Sequence, residues 1–255
     1  MRPIASETGA GWSVKPLEKG MFCARLATSG ADIKAAQRLR AKAFGLSRAL
    51  DKDGFDQHSQ HVLIEHVEQG ALVGCFRVQP FTSTTLDRSY SAQFYDLSAL
   101  ITHSGPMLEL GRFCLHPEWV DPDIVRLAWA ILTRIVDEQG HKLLFGCTSF
   151  PGTDPDRYAI AFALLRARCL APPQWRPKRK GANWVSLDAS DHRCGSSREG
   201  WQTLPALLRT YITMGGWVSD HAVVDPEMNT LHVFTGVEVN RIPESRRRVL
   251  RAVAM

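Results

Sequence analysis

The 255-residue sequence lacks most of the short signatures by which an enzyme is assigned to a class. Gly-x-Ser-x-Gly is absent, so no hydrolase nucleophile elbow is expected. Gly-x-Gly-x-x-Gly and the Walker pattern are absent, which argues against dinucleotide and P-loop chemistry. His-Glu-x-x-His and Cys/His ladders are missing. His58, His61 and His66 lie near one another without ligand spacing, so they read as ordinary polar histidines and no metal site is expected. The six cysteines (Cys23, Cys75, Cys114, Cys147, Cys169, Cys194) form no Cys-x-x-Cys pair and read as reduced thiols of a cytosolic protein. No run of eighteen apolar residues occurs, which excludes a transmembrane helix, and no apolar signal-peptide core opens the chain, so no export is expected. There is no internal repeat and no low-complexity tract.

What is there is an ordinary globular composition, 44% hydrophobic and 22% charged, on a chain long enough for one large domain or two small ones. The net charge of +5 favours acidic partners: a carrier protein, anionic lipid headgroups or nucleic acid. The excess concentrates in Arg176, Lys178, Arg179 and Lys180, and again in Arg241, Arg246, Arg247, Arg248 and Arg251. On charge alone, solvated runs and docking surfaces are equally open.

Residues 1–22 mix Gly, Ser, Pro and charge and read as a flexible tail. Ser29 is a helix cap with Asp32 three residues on, and Ile33, Ala36, Leu39, Ala43 and Phe44 recur at helical spacing. Residues 61–67 and 71–79 read as a hairpin around Glu68-Gln69-Gly70. A long connection, 80–103, contains one short helix near Asp96 to Ile101. Met107 to Pro117 alternates like a half-buried strand. Asp121-Pro122 then starts a helix with a clean apolar stripe from Ile124 to Val136, ended by Gly140, and Lys142 to Phe150 is the next strand. Strand, helix, strand at this spacing is a βαβ unit, so the two strands are expected to be parallel neighbours. Asp154-Pro155 starts another helix, residues 172–200 read as a surface loop, and a helix (204–214) and two strands (217–224, 230–237) follow. The fold class is mixed α/β with an antiparallel front half and a central parallel pair.

Three features invite chemistry. Glu109 and Arg112 sit in a strand that should be buried, with Gly111 between them, and a strand glycine marks a bulge or a close approach. Asp51, Asp53 and Asp56 put three carboxylates in six residues, which need water, a cation or an ammonium; alone they read best as a solvated turn. Arg77 lies amid apolar strand neighbours, and such an arginine has an acidic partner.

The order Arg40-x-x-x-Phe44, Asp51-x-Asp53-x-x-Asp56, Gly74-x-x-Arg77 and Glu109-x-x-Arg112 resembles the acyl-homoserine-lactone synthase branch of the GNAT acyltransferases. The stretch from Phe145 through Ser149 to Gly152, and Leu204-Pro-Ala-Leu-Leu-x-x-Tyr211, resemble more closely a sister branch, the bacterial L-ornithine Nα-acyltransferases. The resemblance runs from about Arg38 to Val237. It implies a GNAT-type fold over 23–240. Beyond it, Arg246, Arg247, Arg248 and Arg251 flank Val249, Leu250 and Val253 after Pro243, so 241–255 reads as a basic C-terminal helix. The implied reaction moves a 3-hydroxyacyl chain from acyl carrier protein to the α-amino group of ornithine, giving lyso-ornithine lipid. Two departures bear on this. Residues 45–55 carry no tryptophan, which counts against a lactone synthase. The chain also has Pro117-Glu-Trp-Val-Asp-Pro-Asp123 where GNAT enzymes have a Gly-rich phosphate loop, and carboxylates at a helix start repel a coenzyme A pyrophosphate. No permanently bound cofactor is expected, only the 4'-phosphopantetheine of the carrier donor.

The candidate roles follow. Glu109 is the expected base on the α-ammonium, with a pKa raised by burial. Backbone N–H groups freed at Gly111 are the oxyanion donors. Arg112 orders the site, and Arg40, Asp51, Asp53, Asp56, Arg77 and Ser149 hold the amino acid, with Asp53 and Asp56 on its δ-ammonium. Arg176, Lys178, Arg179 and Lys180 dock the acidic carrier, and the C-terminal arginines touch an anionic membrane from the cytoplasm. No nucleic-acid partner is expected. The rival readings are an acyl-homoserine-lactone synthase and a non-catalytic carrier- or lipid-binding protein.

Overall fold

The computed structural model describes residues 12–188 and 196–254. Cys194 and residues 1–11 of the expected N-terminal tail lie outside them. In chain order the elements are β1 (Leu17–Lys19), β2 (Phe22–Leu26), α1 (Gly30–Ala43), β3 (Gln60–His66), β4 (Ala71–Phe81), β5 (Tyr95–Asp96), β6 (Met107–Leu115), α2 (Pro122–Gln139), β7 (Leu143–Pro151), α3 (Ala159–Arg168), β8 (Lys178–Arg179), β9 (Trp184–Ser186), α4 (Ser197–Thr203), α5 (Ala206–Thr213), β10 (Trp217–Asp225), β11 (Thr230–Glu238) and α6 (Glu244–Ala254). The chain divides into two compact units. The first takes residues up to Val78 and Arg112–Ile135; the second takes Gln79–Gly111 and Val136–Val253.

In the first unit β1, β2, β3 and β4 pair successively antiparallel. The expected tail is therefore corrected at its end: Leu17 is buried and residues 17–19 pair with 22–24, because the apolar Leu17 gains a core position and the turn Gly20 takes φ +59°. Helix α1 starts where the Ser29 hydroxyl accepts from the Asp32 N–H at 3.1 Å. Its inner face puts Ala36 and Leu39 against Leu63, Cys75 and Cys114. In α2, Ile124, Leu127, Ala128, Ile131 and Ile135 are completely buried, as the apolar stripe requires.

In the second unit β6 runs parallel to β7, β7 antiparallel to β11, and β11 antiparallel to β10, with β9 beyond. The sheet has two differently packed faces. Phe145 and Phe234 join Tyr95, Phe81 and Trp217 on one side, whereas Phe150, Val233 and Ala222 pack with Phe162 and Leu208 on the other. The connection expected to carry one short helix has three short 3-10 turns and the strand β5. The expected 172–200 loop also holds structure: β8 pairs with β5, β9 with β10, and α4 begins at Ser197 behind a Ser196/Glu199 capping box. These pairings join segments about eighty or thirty-five residues apart, which local pattern does not reveal. Among the described residues no helix is long and apolar enough to cross a membrane.

Candidate active site

The first unit holds a buried ionic cluster built on α1, the turn 53–59, β4 and the start of its β6 segment. Arg40 donates from Nε to Asp51 at 3.0 Å and from Nη1 and Nη2 to the two Asp56 oxygens at 2.8 and 2.9 Å; its Nη2 also reaches the Asp51 carbonyl. Arg77 grips Asp53 through both Nη atoms at 2.5 and 2.9 Å and reaches Asp56 at 2.8 Å. Arg112 donates to Asp51 at 3.0 Å and to Asp53 at 3.1 Å. Arg40, Asp51, Asp56 and Arg77 are each at most 4% exposed. Burial raises the Asp56 carboxyl, but the Arg40 hydrogen bonds and charge outweigh it and hold the group well below the usual carboxylate range. Asp53 is likewise lowered: burial, the largest single cause, works upward, and the Arg77 hydrogen bonds with the charges of Arg77 and Arg112 together outweigh it. The solvated turn and the ammonium grip are both corrected for Asp56. Its two oxygens already accept from Arg40, Arg77, Gln37 and the Asp53 N–H, five donors in all, which leaves no lone pair for an ammonium. Gln37 was missed because a glutamine on a helix carries no signal of its burial.

The strand irregularity expected at Gly111 lies one residue later. Gly111 has no left-handed backbone; Arg112 has φ +53°. A side-chain-bearing residue is held there because its guanidinium is anchored on two carboxylates.

In the second unit Glu109 is 5% exposed. Its carboxylate accepts the Tyr90 N–H at 2.9 Å, the Ser91 N–H at 2.7 Å and the Ser91 hydroxyl at 2.6 Å. It thus pins the 3-10 turn of residues 91–93 to β6. The parallel register of β6 and β7 covers three pairs, Met107 to Glu109 against Leu143 to Phe145, although both strands continue. Just past it Gly146 packs against the Leu110 carbonyl so closely that a β-carbon would collide with that oxygen. Ser91 is also 3.5 Å from the Cys147 sulfur.

Ser149 is exposed on β7 and pairs in register with the buried His232. The docking residues separate. Arg176 turns inward to the Ala171 carbonyl at 3.2 and 3.0 Å, and Lys180 donates to the Ala92 carbonyl at 2.6 Å. Lys178 and Arg179 remain exposed, with the Arg179 guanidinium 3.8 Å over Trp184. In α6, Arg251 is paired with Asp137 near the end of α2 at 2.9 and 3.0 Å, while Arg246 and Arg248 are exposed. Among the described residues no cluster of three His, Cys, Asp or Glu could hold a metal. Unforeseen was a buried group of Tyr95, His221 and His232, although two histidines inside apolar alternating strands were the available signal.

A model of the acetyltransferase (GNAT) domain matches residues 36–130. The L-ornithine N(alpha)-acyltransferase of Agrobacterium fabrum is 28% identical over 242 residues, 88% of this chain and 83% of that protein. Its counterpart from Rhodobacter capsulatus is 29% identical over 240 residues, 88% of this chain and 92% of that protein. Among solved structures, an N-acyl amino acid synthase from uncultured soil microbes aligns with a TM-score of 0.47 and 12% identity, over 92% of this chain and 98% of that one. The chain is an acyltransferase with a GNAT-type α/β fold, similar in sequence to the L-ornithine N(alpha)-acyltransferases.

Proposed function

We propose that this acyltransferase moves a 3-hydroxyacyl chain from acyl carrier protein to the α-amino group of L-ornithine, giving lyso-ornithine lipid. The observation that carries the reading is the similarity to L-ornithine N(alpha)-acyltransferases along 88% of the chain. In the reaction the neutral amine nitrogen attacks the thioester carbon, the C–N bond forms and the C–S bond breaks. The nitrogen gives up its proton, and the leaving sulfur takes one.

Three features support a carrier donor. The end of the β6–β7 ladder leaves backbone groups of Leu110 and Gly111 outside the parallel pairing, where a pantetheine arm can add its amides and a thioester oxygen can be held. The start of α2 carries Asp121, whose carboxylate accepts the Asp123 N–H at 2.8 Å, so that helix end is already occupied by negative charge and suits a pyrophosphate poorly. Exposed Lys178 and Arg179 suit an acidic carrier. Arg112, with its side chain 12% exposed, is the proposed contact for the amino acid's carboxylate, whereas Asp53 already accepts from Phe55, twice from Arg77 and from Arg112, which fills its lone pairs. Glu109 orders the 90–93 turn through its three hydrogen bonds, and any proton it takes from substrate passes through the Ser91 hydroxyl. The lipid product is delivered to an anionic surface through the exposed arginines of α6.

The test mixes the protein with 3-hydroxyacyl carrier protein and a panel of amino acids, following thiol release and the product mass. The ornithine amide supports the reading. A lactone formed with S-adenosylmethionine instead assigns the signal-synthase chemistry, and no thiol release with any amine makes the chain a binder.

A further inference from the structure

The group of Tyr95, His221 and His232 has a proton arrangement with a chemical consequence. All three side chains are at most 2% exposed. The Tyr95 ring lies 5.2 Å from the His221 ring and 5.6 Å from the His232 ring. Tyr95 has one hydroxyl proton and donates it to the His232 carbonyl at 2.7 Å. Its oxygen is then an acceptor toward His232 Nδ1 at 3.1 Å, so Nδ1 carries the ring proton. His232 is neutral, because burial pushes its pKa down to about 4. Its Nε2 is therefore a bare lone pair, with no hydrogen-bond partner among the described residues. His221 repeats the pattern: Nδ1 faces the Asp220 carboxylate at 2.7 Å, and Nε2 is buried without a hydrogen-bond partner among the described residues.

Both rings thus present a buried acceptor lone pair, which a hydrogen-bond donor would satisfy. The surroundings restrict it: the Phe94 and His232 rings meet edge to face with centroids 4.8 Å apart, and the Phe234 and Tyr95 centroids are 5.7 Å apart. The Asp220 carboxylate beside His221 is already engaged by its Nδ1, which favours a neutral donor over an ammonium here. Two imidazoles alone do not make a metal site, and among the described residues none with three ligands exists. A hydroxyl on an otherwise apolar chain fits. On β7, exposed Ser149 stands opposite His232 and half-buried Cys147 opposite Phe234.

We propose that His232, seconded by His221, is the specificity-determining residue that accepts a hydrogen bond from a hydroxyl on the acyl chain. The proposal rests on the acyl-transfer reading, and it explains how the protein tells a hydroxylated chain from a plain one: a site built around an unfilled acceptor discriminates against the analogue without the donor far more than apolar packing can.

The first experiment needs no turnover. Protein labelled with ¹⁵N in histidine is titrated with 3-hydroxydecanoate and with decanoate. The Nε2 resonance of His232 is expected to move with the hydroxy acid alone. Equal movement with both acids, or none with either, as when a buried water already satisfies Nε2, overturns the proposal. The second compares kcat/KM for hydroxylated and plain acyl carrier protein of one chain length. The wild type is expected to prefer the hydroxylated donor by on the order of a hundredfold or more. In His232→Phe, checked for folding by circular dichroism, the preference falls to within a few-fold while transfer of the plain chain persists; His232→Gln, which keeps an acceptor, retains part of it. A preference undiminished in His232→Phe overturns the proposal. Thiol release without a His232 response removes this inference alone, and a selective His232 response without thiol release removes the transferase reading alone.

Discussion

The Arg112 backbone adopts φ +53° at the residue whose Nε donates to Asp51 at 3.0 Å. The left-handed turn costs about 1–2 kcal/mol in a residue with a β-carbon, so the ion pairs hold the chain against its own preference. Arg112→Ala keeps the unfavourable turn and loses both carboxylate partners; Arg112→Gly loses the partners but relieves the turn. Both variants are expected to be destabilised, with Gly about 1 kcal/mol more stable than Ala in urea unfolding. Equal losses would mean that the turn costs nothing.

Arg77 and Asp56 meet inside the cluster at 2.8 Å, and both also bond Asp53. A double-mutant cycle with Arg77→Met and Asp56→Asn should show a coupling of roughly 0.5–3 kcal/mol in stability, and each single change alone should cost about 3–5 kcal/mol by leaving a buried charge unpaired. Additive losses would dissolve the cluster into independent pairs.

Glu109 offers two separable roles. If its hydrogen bonds to Tyr90 and Ser91 only hold the turn, Glu109→Gln lowers turnover without changing the shape of the pH–rate profile. If Glu109 also accepts the substrate proton, turnover falls by roughly a hundredfold and the acid limb of the profile disappears. Turnover close to wild type at saturating substrate removes it from both.

The protein should lose stability on mild acidification. Burial pushes His141 and His232 each down to about 4, below the ordinary value near 6.5. In that interval the unfolded chain binds protons that the folded one does not, so stability is full above pH 6.5 and falls as the pH drops toward 4. Each histidine contributes up to about 3 kcal/mol. His232→Phe should flatten part of the decline in unfolding free energy measured between pH 7 and 4. An unchanged slope would mean that His232 is not held neutral. The depressed carboxylates Asp53 and Asp56 act in the same direction, below about pH 4.

Replacing Arg246 and Arg248 by Gln removes two exposed charges of α6 and keeps the Arg251–Asp137 anchor. Binding to anionic vesicles should weaken by about 1 kcal/mol per residue, with transfer on soluble carrier intact. Unaltered vesicle binding would leave α6 a plain solvated helix.

Local chemistry made much of this protein legible in its sequence. The Ser29 cap, the Asp121-Pro122 start and the apolar stripe of α2 act within a few residues, and so does the alternation in β6, β7, β10 and β11. A strand–helix–strand order leaves a parallel β6–β7 pair as its natural outcome, and Arg77 in an apolar strand required an acid. Only the tertiary structure decided which acid, because Arg40, Arg77 and Arg112 share three carboxylates through distances that no spacing encodes. It also moved the strained residue from Gly111 to Arg112, since the ion pairs formed after folding outweigh the local preference of the backbone. It turned Arg176 and Lys180 toward carbonyls and left Lys178 and Arg179 outside, by pairing β8 with β5 across some eighty residues. It brought Tyr95 against His221 and His232, where the hydroxyl proton given to the His232 carbonyl sets the tautomer of that ring. Sequence carries propensity and period; proton bookkeeping and charge pairing need neighbours, and neighbours exist only once the chain has folded.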